Sequence, residues 1–389
     1  MADKKPLRVA MIGYGFMGAA HSQAWSVAPK FFDLPLRPEL AVVVGRDAER
    51  AADVATRFGW ESSATDWREV IRRDDIDLVD ICAPGDTHAE IAIASLAAGK
   101  HVLCEKPLAN SAQDAILMAE AAESALAAGV FAMVGFTYRR VPAISFAREL
   151  VRSGRIGTLR RVQANYLQDW LVDENAPMTW RLDKTRAGSG SLGDIGAHAV
   201  DAVQFITGQT VSSVSGTLHT FVAERPLLGE GIGLGGTASD ERGTVTVDDS
   251  ALFTARLSDG ALASFEATRF ATGRKNAFRL EFSGSTGAVS FDLERMNELE
   301  FYDGTDAAGE RGFRRILVTE PEHPYAAAWW PTGHGLGYEH AFSHQVRDLV
   351  LDIAAGRQPE PSFADGLQVQ TVLEAIERSA ASRSEWTTV

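Results

Sequence analysis

Short apolar runs alternate with helical patterns along the first third of the chain. The apolar runs are LRVAMIG, LAVVVG, IDLVDICAP, HVLCEKP and VFAMVGF, which begin at residues 7, 40, 76, 101 and 130. Helical stretches lie between them, and several end in the glycine that is typical of a C-cap: Gly59, Gly99, Gly129. Strand-like runs separated by helices predict a parallel sheet with both faces covered.

The rest of the chain is strand-rich, with partial alternation of polar and apolar positions. Residues 250–270 and 278–293 indicate hairpins that turn at Asp259-Gly260 and near Gly284 to Gly287. A helical stretch with the sequence DIGAHAVDAVQFITG interrupts this region. The pattern predicts a second domain of α+β class.

Three further stretches have distinct patterns. Residues 26–39, SVAPKFFDLPLRPE, predict a long loop after the first helix. The glycine-rich residues 227–243 predict a mobile loop or linker. Residues 338–381 are helical in pattern. We place the domain boundary near Thr137, which gives an α/β domain over 1–137 and an α+β domain over 138–389.

Composition and charge narrow the class of protein. A length of 389 residues is too great for one ordinary core, which supports two domains. The formal net charge of −14 disfavours nucleic acid and anionic membrane surfaces as partners. The sequence has no apolar run of about 20 residues and no apolar leader, so we expect no membrane span. With only two cysteines, disulfides are not expected, and a reducing cytoplasm fits best.

The stretch GYGFMG follows the first apolar run and precedes a helix-compatible segment. It supplies Gly13, Gly15 and Gly18 in the spacing G-x-G-x-x-G, with Phe16 and Met17 between the last two. In this context the glycines give a tight turn, close approach of a pyrophosphate, and helix packing on the strand. The stretch predicts a dinucleotide site that includes these five residues, and a purely structural turn is the alternative.

The end of the second strand discriminates between NAD and NADP. A carboxylate there binds the ribose 2′-hydroxyl, and a basic residue suits a 2′-phosphate. This chain has Gly45 at the expected acidic position, followed by Arg46 and Asp47. The cofactor is therefore NAD or NADP, with a lean to NADP. Asp47 either reaches the ribose or caps the next helix.

Two stretches concentrate polar residues in an unusual way. CEKP ends a buried-strand pattern with Glu105, Lys106 and a proline, although a lysine is costly to bury without a partner. Further on, Asp194 and His198 are four residues apart and share one face if the stretch is helical. Both stretches are candidates for catalytic chemistry.

The chain resembles the glucose-fructose oxidoreductase / inositol dehydrogenase (Gfo/Idh/MocA) family of NAD(P)-dependent sugar and cyclitol oxidoreductases. The stretches that carry the resemblance are GYGFMG, APGDTHAEIAIASLAAGKHVLCEKPLA, VGFTYRR and GSGSLGDIGAHAVD, in the family's order. The resemblance implies a Rossmann domain and a second domain with a large, open, mostly antiparallel sheet. That sheet commonly forms subunit contacts, which implies a homodimer or homotetramer.

The resemblance also implies roles for single residues. Lys106, Asp194 and His198 match the family's catalytic trio. Pro107 would follow a cis bond that points Lys106 into the cleft, and Glu105 would lie on the nicotinamide side. Pro84 and the GDTH stretch after it would line the cofactor cleft, although His88 fits the start of a helix better.

The residue types fit the oxidation of a secondary alcohol. This reaction needs a base for the hydroxyl proton and a hydride acceptor that faces the carbon. His198 is the expected base, since an imidazole titrates near neutral pH. Lys106 would hydrogen-bond the reacting oxygen, and Asp194 would orient the substrate or imidazole. An exchange of roles, with Lys106 as the base, is the alternative.

Four residues are candidates for substrate contact: Arg139, Trp170, Trp180, Tyr338. The tryptophans would stack on a sugar face, and the alternative for each aromatic residue is a place in the core or an interface. We expect no metal site. The histidines have no H-E-x-x-H spacing, and the stretch HGLGYEHAFSH has no cage of cysteine or carboxylate ligands.

The favoured function is therefore hydride transfer between NAD(P)+ and a ring secondary hydroxyl of a sugar, anhydrosugar, glycoside or cyclitol. One alternative on the same fold is an enzyme that cleaves glycosides through transient NAD oxidation, or another carbonyl reductase. Another is a nucleotide-sensing regulator without catalysis. The intact Lys106, Asp194 and His198 argue against the regulator, since a sensor has no need of all three.

Overall fold

A computed structural model describes residues 4–229 and 238–389. The chain forms two compact units. The first unit comprises Met1–Arg140 and Leu336–Leu367, and the second comprises Val141–Gly335 and Gln368–Val389. Part of the predicted loop at 227–243, residues 230–237, lies outside the described residues.

The strands of the described residues are numbered in chain order. They are β1 Pro6–Ile12, β2 Arg37–Val44, β3 Ser62–Ala64, β4 Leu78–Ile81, β5 His101–Cys104, β6 Ala132–Val134, β7 Leu159–Leu167, β8 Val211–His219, β9 Glu224–Leu228, β10 Ala238–Thr244, β11 Ser250–Leu257, β12 Leu262–Thr268, β13 Ala277–Gly284, β14 Gly287–Asp292, β15 Glu298–Asp303, β16 Arg314–Leu317 and β17 Thr387–Thr388.

The helices of the same residues are numbered in the same way. They are α1 Phe16–Phe31, α2 Ala48–Phe58, α3 Trp67–Ile71, α4 His88–Ala97, α5 Ala112–Leu126, α6 Pro142–Arg152, α7 Lys184–Ala187, α8 Ala197–Thr207, α9 Tyr338–Ala354 and α10 Phe363–Ala381. A π-helical turn, Leu192–Gly196, leads directly into α8. In the parts of the chain that are described, no helix is both long and apolar enough to cross a membrane.

The first unit is built on a parallel sheet with the described strands in the order β3-β2-β1-β4-β5-β6. This is the strand order of a dinucleotide-binding Rossmann fold, so the predicted fold class is confirmed for this part. The order reverses between β1 and β4, and ligands bind outside the carboxyl ends of strands at such a point. The ends of β1, β4 and β5 therefore define the edge where a cofactor site is expected.

The predicted loop at 26–39 is wrong. Helix α1 continues through Pro29 to Phe31, and only five residues separate it from β2. Trp25 and Ala28 are fully buried on the core side of this last part of the helix. Their burial stabilises the helix and offsets the hydrogen bond that Pro29 cannot donate.

A segment late in the chain contributes side chains to the core of the first unit. Phe342, Val346 and Leu349 of α9 pack in one buried cluster with residues of β1, among them Leu7 and Val9. The segment 336–367 therefore belongs with the first unit by its contacts. The single boundary near Thr137, read from the change of pattern, gives no sign of this return.

The second unit is built on a mixed sheet of nine described strands, in the order β16-β15-β14-β13-β7-β12-β11-β8-β17. All neighbours are antiparallel except β7 and β12, which agrees with the predicted mostly antiparallel sheet. The pairs β11–β12 and β13–β14 confirm the two predicted hairpins. The π-helical turn and α8 pack against β7, β11 and β12 of this sheet.

Candidate active site

The glycine loop joins β1 to α1. Gly13 has a φ of 99°, and a Cβ there would lie 2.6 Å from the carbonyl oxygen of Cys82. A Cβ on Gly18 would lie within 2.4 Å of the carbonyl oxygen of Gly13. Packing thus requires both glycines, whereas nothing lies within 4 Å of the corresponding position at Gly15. This opening at the N-terminus of α1 fits the close approach of a pyrophosphate.

The two residues between the second and third glycines have different surroundings. Phe16 is 70% exposed, and its ring stacks on Tyr338 with the centroids 6.1 Å apart. Met17 is half-buried against the core of the first unit. Tyr338 also meets Tyr138 edge-on, and burial raises the pKa of its phenol. The substrate contact predicted for Tyr338 remains a prediction, since Phe16 already covers one face of its ring.

The end of β2 is shaped by an aromatic ring. Tyr14 lies against Gly45, where a Cβ would come within 1.6 Å of the ring, so no acidic side chain fits there without movement of Tyr14. Arg46 is exposed. Asp47 caps α2 by accepting a hydrogen bond from the N–H of Arg50 at 3.1 Å, which confirms the capping role. Contact of Arg46 and Asp47 with a cofactor remains a prediction.

The loops after β4 and β5 are tied together by His88, which begins α4 after Pro84 and a 3-10 turn. Its ring is buried, with Nε2 2.9 Å from the carbonyl oxygen of Ala83 and Nδ1 3.1 Å from that of Pro107. Burial lowers the pKa of His88, so the ring is neutral near pH 7 and donates through one nitrogen only. His88 therefore holds the two loops together through these hydrogen bonds.

Glu105 follows β5 and belongs to a buried hydrogen-bonded network. Its Oε1 lies 3.0 Å from Nε2 of His21, a residue of α1. The other ring nitrogen of His21 lies 2.9 Å from both carboxylate oxygens of Asp80, in β4. Trp25 donates its indole N–H to Asp80 at 2.7 Å. None of these four residues is more than 4% exposed.

The charge state of His21 follows from its partners. Burial alone would lower the pKa of His21, but the charge of Asp80 and its hydrogen bond outweigh this effect and raise the pKa well above its ordinary value. His21, Asp80 and Cys82 offer ligand atoms within 4.8 Å of one another, as a metal site would. Hydrogen bonds among the three account for that proximity, and the expectation of no metal remains a prediction.

Lys106 lies at the same carboxyl edge. It is half-exposed directly after the buried Glu105, and its bond to Pro107 is cis, as the resemblance implies. The N–H of Lys106 donates to Oε2 of Glu105 at 3.2 Å. The turn 105–107 thus presents one lysine at the edge of the sheet where ligands bind.

In the second unit, the π-helical turn and α8 carry the other two predicted catalytic residues. Between Ser191 and Val200, Asp194 and His198 alone are partly exposed, and all the others are buried. The ring of His198 lies beside Tyr166, with the centroids 6.0 Å apart. A polar pair that faces out of a buried segment is suited to bind a substrate. Lys106 lies in the first unit, and a shared catalytic role for the three remains a prediction.

The turn that carries Asp194 is held by a buried carboxylate. Asp248 accepts hydrogen bonds from the N–H of Gly190 at 2.7 Å and of Leu192 at 2.8 Å, and from the hydroxyl of Ser191 at 2.6 Å. Arg269 is fully buried, donates to the backbone carbonyl of Asp248 at 3.2 Å, and lies 3.7 Å from Asp194. These contacts fix where the Asp194 carboxylate is presented.

The other predicted substrate residues already have protein partners. Trp170 donates to the side chain of Gln168 at 2.9 Å, and its ring faces the guanidinium of Arg269 at 5.4 Å. The ring of Trp180 is covered by Arg181, 4.5 Å from its centroid. Each tryptophan retains partial exposure. Stacking on a sugar therefore remains a prediction for both.

Arg139 is buried in the first unit, which does not suit the contact predicted for it. Its side chain is 8% exposed, and the guanidinium lies 3.7 Å from the Asp365 carboxylate. A buried arginine with an acidic partner commonly serves structure, because exposing it would leave that partner unpaired. The substrate role of Arg139 remains a prediction.

Sequence reasoning did not identify His21, Asp80, Asp248 and Arg269. One signal was present: Asp80 interrupts the apolar run IDLVDICAP at a position that a parallel sheet buries on both faces. The partner of that aspartate lies 59 residues away and carries no local pattern. Only the folded structure brings the two together.

Two protein-family models match the chain, one in each unit. Residues 7–136 match the model described as an oxidoreductase family with an NAD-binding Rossmann fold. Residues 144–290 match the GFO/IDH/MocA C-terminal domain. Together the two matches cover well over half of the sequence, in the order that the resemblance predicted.

Individual proteins resemble the chain over nearly its whole length. Levoglucosan dehydrogenase of Pseudarthrobacter phenanthrenivorans is 42% identical over 97% of each chain. A solved structure of levoglucosan dehydrogenase in complex with NADH and levoglucosan is 41% identical, with a TM-score of 0.93, over 99% of this chain and 100% of the other. An oxidoreductase domain protein from Kribbella flavida is 61% identical, with a TM-score of 0.94, over 99% of each.

Proposed function

This chain belongs to the GFO/IDH/MocA family of oxidoreductases, and we propose that it transfers a hydride between a nicotinamide dinucleotide and a ring secondary hydroxyl of a sugar, anhydrosugar, glycoside or cyclitol. One observation carries the proposal. The chain presents a half-exposed lysine at the ligand-binding edge of a Rossmann sheet, and a half-exposed aspartate and histidine on an otherwise buried segment. These groups suit the deprotonation and oxidation of an alcohol.

The dinucleotide is expected along the carboxyl edge of the parallel sheet. The open backbone at Gly15 fits its pyrophosphate, and Gly13 and Gly18 hold the loop in the shape this requires. The first half of the sheet, β1 to β3, would hold the adenosine part, and the second half, β4 to β6, the nicotinamide part. When bound, the oxidised nicotinamide supplies the hydride acceptor.

The chain's own residues would handle the proton and the oxygen. In the oxidative direction, His198 accepts the hydroxyl proton while the carbon loses its hydride, and a ketone forms. Lys106, as a cation, hydrogen-bonds the reacting oxygen and stabilises its developing negative charge. Asp194, fixed by Arg269 and the turn on Asp248, orients the substrate hydroxyl or the imidazole. In the reverse direction His198 returns the proton.

Among these substrates we favour an anhydrosugar. The similarity to levoglucosan dehydrogenase extends over 97% of each chain, so it includes the second unit with Asp194 and His198. At 42% identity the side chains that contact the substrate can differ between the two proteins. We therefore propose a class of substrate and not levoglucosan itself.

The test is nicotinamide reduction by the purified protein. NAD+ and NADP+ are each offered with levoglucosan, other anhydrosugars, aldoses, glycosides and inositols, and absorbance at the reduced-nicotinamide band is followed. We expect turnover with a neutral ring polyol, highest with anhydrosugars. Binding of the dinucleotide without turnover on any polyol would contradict the proposal and favour carbonyl reduction, glycoside cleavage or sensing. Glycoside cleavage would give products without net nicotinamide reduction.

The choice between NAD+ and NADP+ depends on the end of β2. The missing acid at Gly45 and the exposed Arg46 favour NADP+, whereas the NADH in the levoglucosan dehydrogenase complexes favours NAD+. The ratio of kcat/KM for the two dinucleotides is the direct measurement. The NADP+ preference read from the sequence requires a contact between Arg46 and the 2′-phosphate.

Substitution of Arg46 tests that contact. We expect Arg46→Ala to raise the KM for NADP+ about 10- to 100-fold, the loss of a charge-assisted hydrogen bond, with the KM for NAD+ within about twofold. Arg50→Ala is the matched control, since Arg50 is also exposed and lies on the adjacent helix. An equal effect of Arg46→Ala on both dinucleotides would show that Arg46 does not read the 2′-phosphate.

We expect the protein to be a homodimer or homotetramer that uses the open face of the large sheet. Leu252 of β11 and Leu262 of β12 point away from the buried side and are 50% and 51% exposed. Exposed apolar side chains on an open sheet face are a feature that a subunit contact would bury.

A further inference from the structure

We propose that His21 is a positioning residue of the active site, which holds Glu105 and Asp80 together and thereby fixes the turn 105–107 that presents Lys106. The proposal rests on the proposed function, because it concerns the nicotinamide half of the same site. His21 is buried, and we expect it to act on the reacting groups through Glu105.

The three residues come from the two halves of the parallel sheet. His21 belongs to α1, which follows the glycine loop, whereas Asp80 is in β4 and Glu105 follows β5. The hydrogen bonds of 2.9 and 3.0 Å therefore cross the point where the strand order reverses. A dinucleotide spans the same point, so His21 links the element that would bind its pyrophosphate to the loop beside its nicotinamide.

Glu105 has little freedom to move. One carboxylate oxygen accepts from His21, and the other accepts the N–H of Lys106 at 3.2 Å. On a further side lies Gly135, where an added Cβ would come within 2.7 Å of Oε1 of Glu105. The carboxylate thus braces the backbone of Lys106 directly, and His21 holds the carboxylate.

Charge explains why a histidine serves here. Two buried carboxylates, Asp80 and Glu105, face the ring, and only a doubly protonated imidazole can donate to both. Two further titratable groups near His21 are the thiol of Cys82 and the phenol of Tyr338, and burial raises the pKa of each, so both are neutral near pH 7. Without the cation, two carboxylates would remain buried and uncompensated, which is strongly unfavourable.

The test compares binding of the two halves of the cofactor. His21→Gln keeps one amide donor but removes the charge and the second donor. Affinities for NADH, followed by fluorescence, and for ADP-ribose, followed by calorimetry, are measured beside kcat. His101→Gln is the matched control, because His101 lies at the amino end of β5, opposite the site, and accepts the N–H of Phe131.

We expect His21→Gln to weaken NADH binding about tenfold and to lower kcat about 100-fold, the effect of a reacting group displaced by about 1 Å. ADP-ribose affinity stays within about twofold, and His101→Gln retains all three values. Asp80→Asn, which loosens His21 from its other side without touching the turn, gives the same selective pattern. Asp80→Asn replaces His21→Gln in the test if the His21 variant does not fold.

Other outcomes overturn the proposal. If NADH and ADP-ribose lose affinity equally, His21 supports the whole unit and does not position the turn. If both affinities and kcat are retained, the network has no bearing on the site. Should the wild type turn over no polyol, the proposed function fails while the two binding measurements still decide the role of His21.

Discussion

Lys106→Met is expected to lower kcat for polyol oxidation about 10²- to 10⁴-fold, the usual effect of losing a general acid–base or oxyanion-stabilising group. The substitution keeps an unbranched side chain, one atom shorter, and removes its charge and its donors. The N–H of residue 106 is a backbone group, so its hydrogen bond to Glu105 persists and the turn retains its shape. The measurement is steady-state kinetics at saturating polyol and dinucleotide.

Two accompanying measurements make this result specific. Lys30→Met is the matched control. Lys30 is exposed in the last turn of α1, at the opposite end of this helix from the glycine loop. We expect it to retain full activity, and we expect Lys106→Met to bind ADP-ribose as the wild type does. A kcat within about fivefold of the wild type would remove Lys106 from the catalytic group.

The second large effect is expected on stability. Asp248→Asn should destabilise the folded protein by about 3 kcal/mol, because the amide retains one acceptor oxygen where the carboxylate serves three donors. For a unit of this size that corresponds to a melting temperature lower by roughly 6–12 °C. The activity should fall as well, since the turn held by Asp248 carries Asp194.

Asp240→Asn is the control for this change, as Asp240 is exposed on β10 of the same unit. Its melting temperature should stay within about 1 °C of the wild-type value. Calorimetry and a denaturant titration measure both variants. A stable Asp248→Asn protein would mean that the backbone and Arg269 alone hold the turn at Gly190 to Leu192.

The parts of the fold that local chemistry dictates were predictable from the sequence. The apolar runs gave the parallel sheet, and Asp259-Gly260 gave a hairpin, because each signal lies within a few residues of the element that it specifies. The continuation of α1 past Pro29 was missed, since burial of Trp25 and Ala28 against the sheet overrides the local effect of proline. The family resemblance named Glu105 and the candidate catalytic residues, but not the other buried residues that hold them in place.

Those supports depend on tertiary structure. Asp248 accepts hydrogen bonds from backbone N–H groups 56 and 58 residues earlier in the chain, and Glu105 is hydrogen-bonded to a histidine 84 residues away. Neither partner carries a spacing signal, and both are ordinary residues until the sheet is assembled. A charged residue inside an apolar run, as at Asp80, is the one local sign that such a partner exists.

The return of the chain to the first unit has a consequence for its synthesis. When the ribosome has made residues 1–140, every strand of the parallel sheet is present, but Phe342, Val346 and Leu349 of its core are not. The nascent sheet therefore exposes apolar surface while almost two hundred further residues are translated, at about 5–20 residues per second. Folding of the first unit is completed only after α9 has been translated, and chaperones have the intervening seconds in which to bind it.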